Sequence, residues 1–230
     1  MCCYGMESTS KRGLGRGACW AGLAVEKGTV PLVGERMSAM RLRRLVPVAA
    51  AMLLAVTAAL ADGQVNFFLG QKALDGGDWD PIDRQAELGA MMSFGKEAWP
   101  LRIAADVLIA GRDGTLPGSV DVKGATFEVA SGIRKIWGKK AFHPFAGAGI
   151  AIVGAQVELD NAVGSADDTD VAFGPWIDGG VFWRLGMRFN LGLDVRWSKA
   201  DVHLDFGDAV GSDDLDAGGL HYGLLLGFGW

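Results

Sequence analysis

The sequence predicts an all-β protein, an eight-stranded antiparallel up-and-down transmembrane β-barrel that is preceded by a cleavable signal peptide. Three observations lead to this prediction. From residue 62 onward, large apolar residues alternate with small or polar ones, which is the period of a strand with two different faces. The connections between these segments alternate between long and short. The final segment, 220–230, is very hydrophobic, whereas the end of a soluble domain usually frays into water.

Composition sets broad limits on the class of protein. The chain has 230 residues, of which 35 are Gly, and a formal net charge of −5. Abundant glycine favours tight turns and close backbone packing, and the absence of a basic stripe argues against a nucleic-acid partner. The cysteines are Cys2, Cys3 and Cys19, so we expect no disulfide framework and no thiolate metal site in the main body, and no cofactor.

The N-terminal region reads as a targeting segment. Arg41, Arg43 and Arg44 precede the apolar run 45–60, and Ala59 and Ala61 place small residues where a signal peptidase reads them. This order is typical of a secretory signal peptide. We therefore expect residues 1–36 to be a non-native or disordered extension, 37–61 the signal peptide and 62–230 the barrel. A cytoplasmic leader and an N-terminal membrane anchor are the alternatives, although the apolar run is short for a spanning helix.

Eight strands are predicted in order. They cover about 64–70, 84–95, 101–110, 121–137, 141–159, 171–184, 187–198 and 220–230. The seventh has the cleanest alternation. The fifth is rich in Gly and Ala, so its facing has to be inferred from Gln156 and Glu158. The acidic segments 74–83, 160–170 and 199–217 are predicted loops, and the last of these is the longest.

The polar face of the strands is predicted to line the lumen. It carries small residues and five acidic and five basic side chains, a combination that suits the crowded interior of an eight-stranded barrel because each buried charge needs a partner. The predicted ion-pair network is Glu87, Arg102, Asp106, Glu128, Arg134, Asp178, Arg184, Arg188, Asp194 and Arg196. A soluble lipocalin-like barrel, with its apolar face inward, and a β-sandwich are the alternatives.

The apolar face is predicted to contact lipid. Aromatic residues lie near the strand ends, as in an interfacial girdle: Phe94, Trp137, Trp183, Trp197 and Trp230. The turns after even-numbered strands are short and carry Lys96, Glu97, Lys139 and Lys140, whereas the loops after odd-numbered strands are long and mostly acidic. Short periplasmic turns and long outer loops are typical of such barrels.

Three stretches resemble the small outer-membrane β-barrel family, the OmpA/OmpX/OmpW-like porin-family proteins: 142–155 (FHPFAGAGIAIVGA), 183–202 and 220–230 (LHYGLLLGFGW). The resemblance implies a bacterial outer-membrane location, contact with outer-membrane lipid and lipopolysaccharide, and a monomer. It also implies that the barrel-assembly machinery reads Tyr222, Leu224, Leu226, Phe228 and Trp230. Glycines 223, 227 and 229 are expected to leave room for arginine side chains in the lumen.

Function is less well defined by the sequence. We expect a structural or surface-interaction role and no enzymatic activity. One alternative is an OmpW-like channel for small apolar solutes, with Met91, Leu108, Phe182 and Leu225 lining a pocket. Another is a lipid A-modifying enzyme, which needs a His with a Ser partner. His143, His203 and His221 are present in the mature part, but Ser198 is the only hydroxyl near His203 and no motif joins them.

Two of the acidic loops contain candidate metal ligands. The stretches DGGDWDPID and GSDDLD cluster oxygen ligands of the kind that Ca²⁺ prefers. Both lack the ligand spacing and closing Glu of an EF-hand, so we interpret them as a solvated acidic surface and predict no metal site.

Overall fold

The structure is a computed structural model that describes residues 63–96, 98–116, 120–138, 140–160, 165–186, 188–205 and 212–230. The predicted signal peptide with Ala59 and Ala61, the upstream extension, and the turn residues Glu97 and Lys139 lie outside the described residues.

Eight of the ten strands close into one barrel, and the remaining two, β8 and β9, form a separate hairpin that is described below. Numbered along the chain, with the residue ranges given at the end of this paragraph, the barrel strands lie in the spatial order β1-β10-β7-β6-β5-β4-β3-β2. The pairs are antiparallel, and the ladder between β1 and β10 closes the barrel, from Gln64 opposite Gly229 to Ala73 opposite Leu220. The prediction of an eight-stranded antiparallel up-and-down barrel is confirmed. Its strands are β1 (Gly63–Ala73), β2 (Arg84–Phe94), β3 (Arg102–Leu116), β4 (Val120–Ile136), β5 (Phe142–Asp160), β6 (Ser165–Leu185), β7 (Phe189–Ser198) and β10 (Gly219–Gly229).

The apolar faces point outward. Large hydrophobic side chains along every barrel strand are exposed, for example Phe173 at 73% and Leu224 at 48%, while charged residues such as Asp106 and Arg196 are 1% exposed inside. An apolar exterior around a polar interior is the arrangement of a transmembrane barrel and the reverse of a soluble one. The lipocalin-like and sandwich alternatives are therefore wrong.

Four strands extend beyond the apolar belt on the side of the long loops. The β5–β6 ladder continues to Asp160 opposite Ser165, so most of the segment predicted as the acidic loop 160–170 is strand. On this extension Gln156 and Glu158 lie on the outer face, whereas Val157 and Leu159 are buried. The polar and apolar faces have exchanged places here, because the outer surface meets water instead of lipid.

The structure also has a cap over the outer mouth of the barrel, which the sequence pattern does not predict. The segment 199–217, predicted as a loop, contains the hairpin of β8 (Asp201–Asp205) and β9 (Ser212–Asp216). The loop between β1 and β2 contains a one-turn helix, α1 (Gly76–Trp79), that Asp75 caps by accepting a hydrogen bond from the Gly77 backbone N–H at 2.9 Å. No helix in the described ranges combines the length and hydropathy needed to span a membrane.

The predicted aromatic girdle is present with one exception. Trp137, Trp183, Trp197 and Trp230 are exposed on the outer surface, but Phe94 is fully buried. Phe94 pairs with Gly63 at the end of β2, where the space that a Cβ on Gly63 would need is already bounded by the rings of Trp230 and Phe94. Close packing at this seam removes Phe94 from the surface.

Candidate functional site: a filled lumen beneath an apolar cap

Two arginines organise the middle of the lumen. Arg134 on β4 donates from Nη2 to Asp106 Oδ2 at 2.8 Å and also pairs with Asp178. Arg196 on β7 donates from Nη1 to the same Asp106 oxygen at 2.9 Å and pairs with Glu128. Five of the ten residues predicted for the network are thus joined across the barrel. Asp106 is its centre, because it receives both guanidinium groups and the Met92 backbone N–H at 3.2 Å.

A second group lies nearer the outer mouth and centres on a histidine. His221 Nδ1 lies 2.8 Å from Glu87 Oε1, and His221 Nε2 lies 3.1 Å from Ser198 Oγ. Ser198 also donates to Glu128 Oε2 at 2.9 Å. All four side chains are buried. The chain Ser198–His221–Glu87 has the connectivity of a catalytic triad, but the single serine proton is donated to Glu128 and the hydroxyl faces the lumen.

A lysine ties this group to the cap. Lys72, which is 1% exposed, donates to Thr126 Oγ1 at 3.2 Å and to the Ala217 carbonyl at 2.7 Å. Thr126 donates in turn to Gln85 Oε1 at 3.0 Å. The ammonium group therefore connects the lumen wall to the segment that returns from β9 to β10.

The cap is stabilised by an apolar core and by two sets of hydrogen bonds at Asp216. Trp79 of α1 is 2% exposed and donates from Nε1 to the Asp216 carbonyl at 2.9 Å. The Asp216 carboxylate accepts the backbone N–H groups of Ala200 at 3.0 Å and Gly218 at 2.9 Å. The buried side chains around Trp79 come from both loops and from the strand extensions: Leu74, Ile82, Val122, Val157, Leu159, Val202, Leu204 and Leu215. Burial of this surface keeps the cap over the mouth.

The four residues predicted to line an apolar solute pocket are together, but they form a packed cluster. Met91, Leu108, Phe182 and Leu225 are each at most 2% exposed and contact Phe68 and Phe145. Apolar side chains in contact with one another leave no room for a solute of their own size.

Three predicted members of the network lie at the periplasmic end and have no carboxylate partner among the described residues. Arg188 is exposed, because β7 begins at Phe189 and not at Met187, so Arg188 belongs to the turn before it. Arg184 donates to amide oxygens, to Asn190 at 3.3 Å and Gln64 at 3.5 Å. Arg102 is half-buried at the start of β3.

Asp194 is inside the lumen but outside the network. It is 2% exposed, and neither carboxylate oxygen has a hydrogen-bond partner among the residues that the structure describes. Its neighbours in the ladders are Gly180 and Gly223, and the rings of Phe145 and Phe68 occupy the space above these glycines. Phenyl rings lie beside this carboxylate, and the charges of Arg134 and Arg196 reach it without a hydrogen bond.

Of the three glycines of β10 expected to make room for arginine, only Gly229 does. A Cβ on Gly229 would lie 3.2 Å from Arg184 Nη2. The corresponding space is filled by Phe68 at Gly223 and by the Asn66 side chain at Gly227. The even-numbered residues of this strand, Tyr222, Leu224, Leu226, Phe228 and Trp230, are exposed on the lipid-facing side.

Sequence reasoning missed Lys72 and Trp79 as members of the site, and it considered His221 and Ser198 without joining them to each other. The alternation places Ser198 and His221 on the inward faces of β7 and β10, and the same alternation, carried two residues beyond the predicted end of the first strand, places Lys72 on the inward face of β1. Trp79 had no such signal, because it lies in a Gly- and Asp-rich loop whose folding depends on contacts with a hairpin more than 120 residues away.

The outer surface of the strand extension is polar. Lys123 Nζ lies 3.4 Å from Asp160 Oδ2 and 3.7 Å from Glu158 Oε1, and the hydrogen bond with Asp160 raises the pKa of Lys123 above its ordinary value. These groups are exposed to water, so the pair adds little stability. Within the described ranges, no cluster of three or more His, Cys, Asp or Glu side chains could hold a metal ion.

No protein-family model and no curated protein matches the chain. Among solved structures, the attachment invasion locus protein Ail of Yersinia pestis is similar at 11% identity over 74% of this chain and 97% of that chain, with a TM-score of 0.49. Neisserial surface protein A is similar at 13% identity over 73% and 94%, with a TM-score of 0.44. The N-terminal barrel of Pseudomonas aeruginosa OprF is similar at 11% identity over 73% and 97%, with a TM-score of 0.41.

Proposed function

We propose that the protein is an integral outer-membrane β-barrel with a structural or surface-interaction role, and that its lumen is filled rather than conducting. The observation that carries this proposal is the continuous occupation of the lumen by the ion-paired arginines, the apolar cluster around Phe182 and the histidine group beneath the cap. An eight-stranded barrel is just wide enough for side chains to fill.

The location rests on the chain's own surface. A closed barrel with an apolar exterior, aromatic residues at both ends of the belt, and short turns on one side matches the physical requirements of the bacterial outer membrane. Lipid and lipopolysaccharide would contact the belt, and the barrel-assembly machinery would insert the chain as a monomer. Heat-modifiable gel mobility of outer-membrane fractions tests this: a shift on boiling supports it, and recovery of the chain as a soluble periplasmic protein contradicts it.

Conductance tests the filled lumen. We expect purified, refolded protein in planar bilayers to give no large, steady current, because Arg134 and Arg196 are anchored by carboxylates on opposite walls and the cap covers the outer mouth. Porin-sized steps would contradict the proposal. The double variant R134A/R196A is a useful companion, since removal of both guanidinium groups should raise the current if the network is what blocks the lumen.

The surface for interaction would be the strand extension together with the cap. Its exposed residues are largely acidic, including Asp167, Asp201 and Asp214. Such a surface suits contact with cationic groups, or with lipopolysaccharide phosphates through bridging divalent ions. The apolar-solute channel has no comparable support, because the ladders around the barrel are continuous through the membrane belt and its candidate pocket is packed.

A second candidate is an acyl hydrolase, and only the triad-like connectivity of Ser198, His221 and Glu87 favours it. The Ser198 hydroxyl would turn its proton from Glu128 to His221 Nε2 and attack an ester carbonyl. His221 would pass this proton to the departing alcohol, and water would then release the acyl group from Ser198 as the acid. The cap would have to lift, because all three side chains are buried. Covalent labelling by a fluorophosphonate that is lost in S198A would support this candidate, whereas no labelling of the native barrel would eliminate it.

A further inference from the structure

A shallow trough crosses the outer face of the barrel where the strand extension begins. In the ladders of β3, β4 and β5, Gly111 lies opposite Ala125, and Ala125 lies opposite Gln156. A Cβ on Gly111 would meet one neighbour within 4 Å, the Gly124 carbonyl oxygen at 3.3 Å. The small residues therefore leave a cavity of about 400 Å³ above this row, and binding sites for small ligands have volumes of about 300–1,000 Å³.

The row of side chains on the membrane side of the trough is apolar. Ile109 lies opposite Phe127, and the Phe127 ring occupies the space of the missing side chain at Gly154. Ile109 and Phe127 are the last large apolar residues on the outward faces of β3 and β4 before the polar extension begins. This row therefore marks the outer limit of the lipid-facing belt, and the trough lies directly beyond it, at the depth of the lipid headgroups.

The row on the water side of the trough is charged. Asp113 lies opposite Lys123, and Lys123 lies opposite Glu158. Lys123 Nζ is 3.7 Å from Glu158 Oε1 and 3.4 Å from Asp160 Oδ2. The ammonium group is thus already paired with carboxylates of its own chain, and a phosphate would have to compete with them.

The chemistry of the trough suits a sugar better than an anion. Its second cation is Arg112, which donates from Nη1 to the Arg84 carbonyl at 3.0 Å, so two cations face the three carboxylates of Asp113, Glu158 and Asp160. Surplus acid repels an anionic ligand. A mixture of N–H donors with carboxylate and amide acceptors matches hydroxyl groups, each of which donates and accepts.

The spacing of the two rows also suits a sugar. Phe127 and Lys123 are four positions apart on β4, which is about 13 Å at a rise of about 3.3 Å per residue. Ala125, between them, is small and exposed. The gap between the apolar and the charged row therefore admits a sugar ring that lies flat on Gly111 and Ala125.

We propose that this trough binds the saccharide headgroup of a glycolipid of the outer leaflet, whose acyl chains lie against Ile109 and Phe127. This assignment rests on the outer-membrane location proposed above and adds to it a site and a ligand class. Gln156 and Glu158 accept hydrogen bonds from sugar hydroxyls, and Lys123 donates to them. In a bacterial outer membrane the glycolipid of this leaflet is lipopolysaccharide, and the part bound in the trough is a sugar ring and not a phosphate.

Native mass spectrometry of the full chain, refolded in a polyoxyethylene detergent that contains neither sugar nor phosphate, counts the lipids bound to each barrel. The probes are diglucosyl diacylglycerol, which has sugars and no phosphate, phosphatidylglycerol, which has a phosphate and no sugar, and a lipopolysaccharide truncated to its innermost sugars. We expect one molecule of either glycolipid to bind each barrel, at concentrations at least tenfold below those at which phosphatidylglycerol binds.

Variants of the trough test the position of the site. A125W fills the trough and should weaken the binding of both glycolipids at least tenfold. V171W is the matched control, because Val171 is exposed on the outward face of β6 and lies outside the trough. Q156L keeps the size of the side chain and removes the amide, so it should weaken glycolipid binding and leave phosphatidylglycerol binding unchanged.

Three results overturn the proposal: equal binding of phosphatidylglycerol and diglucosyl diacylglycerol, unchanged glycolipid binding by A125W, or an equal loss in V171W. Binding of lipopolysaccharide alone, and only with Mg²⁺, also overturns it, because the contact would then be made by phosphates through bridging ions. Heat-modifiable mobility is measured on each preparation. Loss of the shift in the native chain contradicts the outer-membrane barrel itself, whereas a retained shift without glycolipid binding contradicts only the trough.

Discussion

At the residue scale, two buried aspartates of the lumen differ in their effect on the stability of the folded barrel. Asp106 accepts hydrogen bonds from both central arginines, whereas Asp194 is buried without a partner. Breaking a buried ion pair costs about 3–5 kcal/mol, and a buried acceptor that lacks a donor costs about 1–3 kcal/mol. The two aspartates therefore contribute to the stability of the folded barrel with opposite signs.

We predict that D106N lowers the free energy of unfolding by about 3–5 kcal/mol, because it leaves Arg134 and Arg196 short of a shared negative charge. We predict that D194L raises it by about 1–3 kcal/mol, because leucine has a similar size and suits the neighbouring phenyl rings. Urea-induced unfolding in lipid vesicles, followed by tryptophan fluorescence, measures both. A loss of stability in D194L would mean that Asp194 has a bound partner in solution.

At the element scale, the cap depends on a small number of contacts between distant loops. Trp79 joins α1 to β9 through its indole N–H and fills the apolar core beneath the hairpin. Gly174 on β6 permits the chain leaving β7 to cross it, since a Cβ at this position would overlap the Lys199 carbonyl oxygen. The cap can therefore be loosened without a change to the barrel wall.

We predict that W79A exposes the hairpin β8–β9 to protease while the barrel remains heat-modifiable, because the removal of a buried indole leaves a cavity that the short loops cannot fill. Limited proteolysis of intact cells, which reaches only the outer side, measures this effect. W99A is the control, since Trp99 is exposed at a periplasmic turn. Equal protease resistance of W79A and the native chain would show that Trp79 is not required to hold the cap.

The barrel strands follow from the sequence pattern, whereas the cap does not. Strand number, pairing and facing follow from the period of two, because a barrel in lipid makes each face chemically uniform. The same rule assigns Gln156 and Glu158 to the lumen, but they lie on the outer face, because the strands have left the membrane there and the polar face points outward. The hairpin within 199–217 and the burial of Trp79 depend on contacts between separate loops, which no local pattern records.

The sequence predicts about how many charged side chains the lumen contains, but not which of them pair with each other. The five acids and four of the five bases lie on the strands, with Arg188 in a turn, but the sequence does not show how far each side chain lies along the barrel axis. Asp194 and Arg184 are ten residues apart on neighbouring strands, and only the register shows that Asp194 pairs with Gly180, Arg184 pairs with Asn190, and Phe182 lies between these two levels.

At the scale of the whole molecule, closure depends on the seam between β1 and β10. Trp230 donates its backbone N–H to the Gly63 carbonyl at 2.9 Å and accepts the Gly63 N–H at 3.2 Å, and its ring is exposed toward lipid at the periplasmic boundary. Deletion of Trp230 removes both bonds and the terminal aromatic ring.

We predict that the Trp230 deletion reduces the amount of heat-modifiable barrel in the outer membrane, while the protein that does assemble keeps its properties. W230F, which retains an aromatic ring and the backbone bonds, should assemble at close to the native level. Quantitative immunoblotting of outer-membrane fractions measures both variants. Normal levels of the deletion variant would show that the last residue is dispensable for assembly.

The same seam has a consequence for chain connectivity. Because Gly63 and Trp230 are hydrogen-bonded neighbours, a short linker can join them, and new ends can be placed in the connection between β4 and β5, where Gly138 and Lys140 have positive φ. Such a circular permutant has every ladder of the native barrel, and we expect it to refold in detergent. In cells it should fail to insert, because its aromatic strand is now internal. The stability of the folded barrel should therefore not depend on where the chain begins, whereas its insertion into the membrane should.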